Sequence, residues 1–158
     1  MKQKILLVAI SLMMTLGIKA QDMKGHIYYN GNMDVTHLLK QKEDEDPDKR
    51  AKKEAVFSEI FTMSITMEFP TSDKMKCKPK IMMDEERAKE LSVNMLTRKK
   101  WQAQLTLAAK QRHDWYSKYK VKDGIIEIED GTTFKVSDNG EELYVNDDTM
   151  EATLKRIK

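Results

Sequence analysis

YKVKDGIIEIEDGTTFKVSDNGEELYVNDDTMEATLKRI, residues 119–157, decides the fold, because its turns are written into it. Asp123-Gly124 is a two-residue hairpin signal, since glycine tolerates the positive φ that a type I′ turn demands. That turn sets Val121 against Ile126 and Tyr119 against Ile128. Glu129-Asp130-Gly131 fits a three-residue loop with glycine at the left-handed position, which brings Phe134 opposite Ile126. Asn139-Gly140 sets Val136 against Leu143 and Phe134 against Val145. A turn at Asp147-Asp148 aligns Val145 with Met150 and Leu143 with Ala152. Every choice gathers the apolar residues on one face and leaves Lys120, Glu127, Lys135, Glu142 and Glu151 on the other. The stretch reads as four antiparallel strands.

A second hairpin precedes it. Phe61, Met63, Ile65, Met67 and Phe69 alternate with polar residues, the period of a half-buried strand. After a turn at 70–74, Met75, Cys77, Pro79, Ile81 and Met83 alternate with lysines, pairing Met67 with Cys77 and Ile65 with Pro79. Pro79 cannot donate to a ladder, so this strand is expected at an edge or with a bulge. The lysine row discourages edge-to-edge association.

Between these two groups of strands, residues 84–118 read as one long helix. Asp84, Glu85 and Glu86 place a cap and negative charge at its start. Leu91, Met95, Trp101, Leu105, Ala108 and Trp115 form its stripe, interrupted by Arg98 and Arg112, with a bend near 92–94 as one way to reconcile them. Upstream, residues 26–29 are a candidate short strand, and Asp34 caps a brief helix over 35–41 to which Leu38 and Leu39 give the apolar side. Residues 42–46 are a charged linker. Asp46-Pro47 starts another helix, with Ala51, Ala55 and Val56 as its inward stripe.

Residues 1–20 carry a basic start at Lys2 and Lys4, an apolar run over 5–18 and a small Ala20, the pattern of a secretory signal peptide. The apolar run is shorter than the roughly 20 residues a membrane span needs. Removing these residues takes away Lys2, Lys4 and Lys19 and no acid, leaving 25 basic against 26 acidic side chains. That balance gives no general attraction for nucleic acid or anionic membrane. The expected location is periplasmic or extracellular, with no membrane span after the signal is removed. The domain reading is 1–20 signal peptide, 21–58 short helices and linker, and 59–158 sheet with the helix 84–118, as a single domain over 21–158.

Cys77 is the single cysteine, which excludes an intramolecular disulfide and points to a buried apolar thiol. His26, His37 and His113 are the only histidines, and none has a partner at helical spacing. No phosphate loop or nucleophile elbow is present. Neither catalytic residues nor a cofactor or metal are expected, and enzymatic chemistry is the minority reading.

The signal peptide, the facing hairpins, the run Tyr119-KVKDGIIEIE-Asp130, the run Phe134-KVSDNGEE-Leu143 and the ending Leu154-KRI-Lys158 resemble the small secreted lipocalin-like (calycin-type) domains of Gram-negative bacteria. The Gly-x-Trp start of true lipocalins is missing, for Gly25 is followed by His26 and Ile27. The resemblance implies an up-and-down β-barrel or half-barrel able to enclose an apolar ligand.

Together these readings predict a β-rich α+β fold: an antiparallel meander of six to seven strands, barrel-like or half-barrel, with one long helix inserted between strands 2 and 3. The expected function is non-catalytic binding of a small apolar ligand in a lipocalin-like cavity. Met63, Met67, Trp101, Ile126 and Phe134 are its candidate lining. The alternative is an envelope protein–protein interaction or a structural module, with Tyr28, Tyr29, Tyr116 and Tyr144 as surface aromatics.

Overall fold

The structure, a computed structural model, describes residues 22–39, 45–147 and 150–158. The signal-peptide reading over 1–20, most of the charged linker and the last hairpin turn at 148–149 lie outside the described residues.

Eight antiparallel strands close into a barrel in chain order: β1 (Ile27–Met33), β2 (Phe61–Glu68), β3 (Lys74–Met83), β4 (Trp115–Lys122), β5 (Ile125–Ile128), β6 (Thr133–Val136), β7 (Glu142–Asp147) and β8 (Met150–Arg156). Among the described residues three helices accompany them, α1 (Pro47–Ile60), α2 (Glu85–Glu90) and α3 (Met95–His113), with one 3-10 turn at Thr36–Leu38. An eight-stranded closed barrel is compatible with the lipocalin-like resemblance and corrects the count of six to seven. Two strands account for the difference. Four turns separate five strands in the carboxy-terminal stretch rather than four, and the short segment after His26 is a full strand that closes the ring.

The turn chemistry acts as read. Asp123 and Gly124 both have positive φ, 53° and 74°, and Tyr119 pairs with Ile128 and Val121 with Ile126. Gly131 has φ 88° and Ile126 meets Phe134. Val136 pairs with Leu143, as expected, although the loop is wider than two residues, closed by Ser137 N–H donating to the Glu142 carbonyl at 2.9 Å. The last hairpin is shifted by two: Val145 faces Ala152 and Leu143 faces Leu154. An even shift leaves each side chain on its own face, so the hydrophobic pattern could not discriminate between the two registers.

The single long helix is corrected to two, and both lie between β3 and β4. Leu91 caps the end of α2, Ser92 takes φ 55°, and Asn94 begins α3 by accepting from Thr97 N–H at 2.9 Å. α3 stops at His113 rather than continuing to 118, because Trp115 pairs with Cys77 in the ladder and is the first residue of β4. The β3–β4 ladder covers only Lys74 to Cys77. From 78 onward β3 has β2 on one side, and α3 packs against it as its main neighbour. Pro79 therefore sits where no strand requires its missing N–H, as an edge position would.

Buried Tyr28, Phe61, Phe69, Met63, Met67, Met75, Phe134, Leu143 and Leu154 meet inside the barrel. Tyr28 reaches across it to donate to the Gly140 carbonyl at 2.8 Å, 112 residues away. Cys77 is buried among them. Outside, Glu68 holds Lys78 at 3.0 Å and Lys76 at 3.7 Å.

Candidate functional site

The five residues read as a ligand lining are divided by the fold. Met63, Met67 and Ile126 are 0 % exposed and Phe134 is 2 %, so neighbouring side chains cover all four within the barrel. Phe134 stacks on Trp115 with ring centroids 6.1 Å apart and planes within 8°. Trp101 lies elsewhere, on α3, where its indole packs 4.7 Å from the ring of Phe57 on α1. Of the surface aromatics, Tyr116 and Tyr144 are exposed, Tyr29 is half-buried, and Tyr28 is buried with its hydroxyl bonded.

Open apolar space lies on the helical flank. A groove of about 380 Å³ runs between the 3-10 turn, α1 and α3, walled by Leu38, Leu39, Phe57, Leu105, Leu107 and Ala108, with Lys53, Gln104 and Gln111 as its polar members. Each wall has a local cause. Asp34 accepts from Thr36 N–H at 3.1 Å and so sets the 3-10 turn. Asp46 caps α1 by accepting from Asp48 N–H at 2.9 Å, and Pro47 occupies the first helical position. This helix turns Phe57 and Ile60 inward, whereas the expected inward Ala51 and Ala55 are exposed and Val56 is half-buried. The reason is size: a phenyl and an isoleucine bury more apolar area than two alanines.

On α3 the inward stripe is Arg98, Trp101, Leu105, Ala109 and His113, spaced by three or four, while Met95 is exposed. Arg98, expected to interrupt the stripe, belongs to it. Its guanidinium reaches Glu85 at 2.6 Å, tying the start of α2 to α3. Lys53, the charged member of the groove wall among the described residues, is 3.8 Å from Glu45.

A pair of histidines stands next in sequence to lining residues of the groove, His37 beside Leu38 and His113 two residues after Gln111. Nε2 of His37, next to Leu38, lies 3.1 Å from Nε2 of His113, with ring centroids 5.3 Å apart. That separation is close to the nitrogen distance plus two ring radii, so the nitrogens point at each other as in a hydrogen bond. Two ligands of one metal ion would instead converge on a point between them. Among the described residues no group of three or more His, Cys, Asp or Glu could hold a metal ion. Burial, and then the charge of Arg112, lower the His37 pKa below its ordinary value, against a bond to the Asp34 main chain that raises it. Arg112 also donates to the His37 carbonyl.

The groove is half-visible in sequence. Leu38, Leu39, Leu105 and Ala108 each stand out as apolar members of a helix, but Phe57 does not, and no spacing rule joins residues 38, 57 and 105. The histidine pair spans 76 positions and leaves no signal at all. No helix of the described residues is long and apolar enough to cross a membrane. No family model, no curated protein and no solved structure matches the chain.

Proposed function

We propose that the chain is an exported, lipocalin-like, non-catalytic binding protein that holds a small apolar molecule in the groove between α1, α3 and the 3-10 turn. The observation that carries this reading is the contrast between covered and open apolar surface. The barrel's own methionines and aromatics are covered by one another, whereas exposed Leu107 and half-buried Leu39 and Ala108 border open space of about 380 Å³, which the buried Leu38, Phe57 and Leu105 also line. A space of that size falls within the roughly 300–1,000 Å³ range of small-molecule pockets, and a few polar groups on apolar walls are their usual composition. Trp101, tilted against the Phe57 ring at 4.7 Å between centroids, buttresses that wall residue.

The test is fluorescence titration with N-phenylnaphthylamine, a neutral apolar probe, on the wild type and on Ala108→Trp, which fills the groove. Saturable binding by the wild type that weakens about tenfold or more in the variant, a loss of about 1.4 kcal/mol, supports the groove. Equal binding by both, or none by either, overturns it.

A second reading rests on α3's outer surface. Leu96 is 81 % exposed and Met95 61 %, which is unusual apolar exposure for neighbouring residues of one helix. Such a strip favours an envelope protein as partner. Leu96→Glu would abolish that association while leaving probe binding intact.

A further inference from the structure

The groove's shortest wall is fastened by chemistry that titrates. Leu38 and Leu39 sit on the turn between β1 and α1, whose main-chain bonds are internal: Leu38 N–H to the Val35 carbonyl at 2.9 Å and Leu39 N–H to the Thr36 carbonyl at 3.0 Å. Across to α3, polar links that join this turn include the His37–His113 pair and the Arg112 guanidinium on the His37 carbonyl. Both are adjacent to groove-lining residues, Leu38 on one side and Gln111 on the other.

We propose that His37 and His113 form an acid-sensitive latch on the groove: neutral, the pair holds the turn carrying Leu38 and Leu39 against α3, and in acid it parts and the ligand leaves. This inference rests on the groove being the ligand site.

The chemistry follows from proton counting. Two neutral imidazoles have one donor and one acceptor to offer across 3.1 Å, which is a complete hydrogen bond. One added proton leaves the pair joined, the protonated ring donating to the neutral one. A second proton, on His37, leaves two N–H donors and two like charges facing each other. The charged groups acting on His37 are Asp34 on its own turn and Arg112 on α3. Asp34 favours the imidazolium and Arg112 opposes it. Burial and Arg112 place His37's protonation below the ordinary histidine range, so the latch stays closed at neutral pH.

The experiment compares the purified wild-type chain with His37→Gln, whose amide reaches the Nε2 position and bonds His113 without titrating. N-phenylnaphthylamine affinity is measured from about pH 7.5 to about pH 5, together with amide exchange at Leu38 and Leu39, corrected for intrinsic pH dependence. A latch predicts that wild-type affinity falls about tenfold in acid, that Leu38 and Leu39 lose protection while Val145 does not, and that the variant changes less than about twofold. Wild-type affinity that persists in acid overturns the latch, as does an equal fall in His37→Gln. If the probe never binds at neutral pH, the groove reading fails, and Leu38 and Leu39 protection alone decides whether the histidines fasten the turn. Should the variant misfold, the wild-type exchange pattern decides the same point: protection at Leu38 and Leu39 that survives acid overturns the latch, and its selective loss supports it.

Discussion

In the meander from β4 to β8 each strand lies beside the one before it, joined by loops of two to five residues, and the interior is filled by the strands' own side chains. On the helical flank the neighbours are distant in sequence. Leu38, Phe57 and Leu105 share one wall system, and the bonds between the elements come from single side chains such as His37 and Arg112. The first region is held by main-chain ladders that any opening must break together. The second is held by a few contacts that can be exchanged one at a time. Binding surfaces tend to be drawn from regions of the second kind, where local opening costs less.

That contrast is best broken from the barrel side. Phe134→Ala removes a 2 % exposed ring stacked on Trp115, and is expected to cost about 3–5 kcal/mol in urea denaturation. N-phenylnaphthylamine affinity at neutral pH should be unchanged in the folded fraction. A parallel loss of affinity would mean that the ligand enters the barrel after all.

Base and acid should separate the regions next. The Tyr119 hydroxyl donates to the Thr71 carbonyl at 3.0 Å, and burial pushes its pKa up to about 12. The unfolded chain ionises at about 10, so Tyr119's contribution is whole below that value and is lost as pH rises through about 12. The expected loss is on the order of 1–2 kcal/mol, absent in Tyr119→Phe. A wild-type and variant pair that weaken equally in base would place the effect elsewhere.

Gly124→Ala sharpens the meander's side. A Cβ there would lie 3.6 Å from the Val136 carbonyl, an ordinary contact, so the cost is the backbone at φ +74°. About 1–2 kcal/mol is expected, measured as a lowered urea midpoint. No loss would show that the turn relaxes without disturbing the ladder.

In acid the sign reverses. His37's folded pKa lies below 6.5, so its contribution is present above about 6.5 and is lost as pH falls from there through the folded value. His26 is lowered in the same direction by burial and by Arg156, so the diagnostic is the difference between wild type and His37→Gln, of about 1 kcal/mol or less. Identical acid profiles would remove His37 from the account. Smallest of all, Leu96→Glu at an 81 % exposed site should stay within about 0.5 kcal/mol of wild type by thermal unfolding. A larger loss would show that α3's outer surface is already covered.

Legibility in sequence follows the same division. Registers around Asp123-Gly124 and Gly131 are readable because a positive φ is demanded by local geometry and glycine meets it. The start of α3 is half-readable: a bend near residues 92–94 is one of two readings of the interrupted stripe, and the helix is broken there outright, with Ser92 at positive φ and Asn94 as the new cap. Its end is not, because Trp115 leaves the helical pattern only to pair with Cys77, a choice made by tertiary structure. Closure of the barrel is hidden for the same reason, since Tyr28 finds Arg156 without any turn between them. The groove and its histidines lie at the far end of this scale, assembled from three elements whose separate patterns say nothing of one another.

The seam between β1 and β8 has a consequence in time. Two ladder pairs, Tyr28 with Arg156 and Tyr29 with Lys155, join it, extended by Ile27 N–H to the Lys158 carbonyl at 2.7 Å and Ile157 N–H to the Ile27 carbonyl at 2.8 Å. A ring closed by residues some 130 positions apart forms late, after the neighbouring hairpins, because loop closure must precede the contacts that reward it. Until then β1 and β8 each present an unpaired strand edge, open to a second unfinished chain. In that interval pairing with another chain competes with closure of the ring.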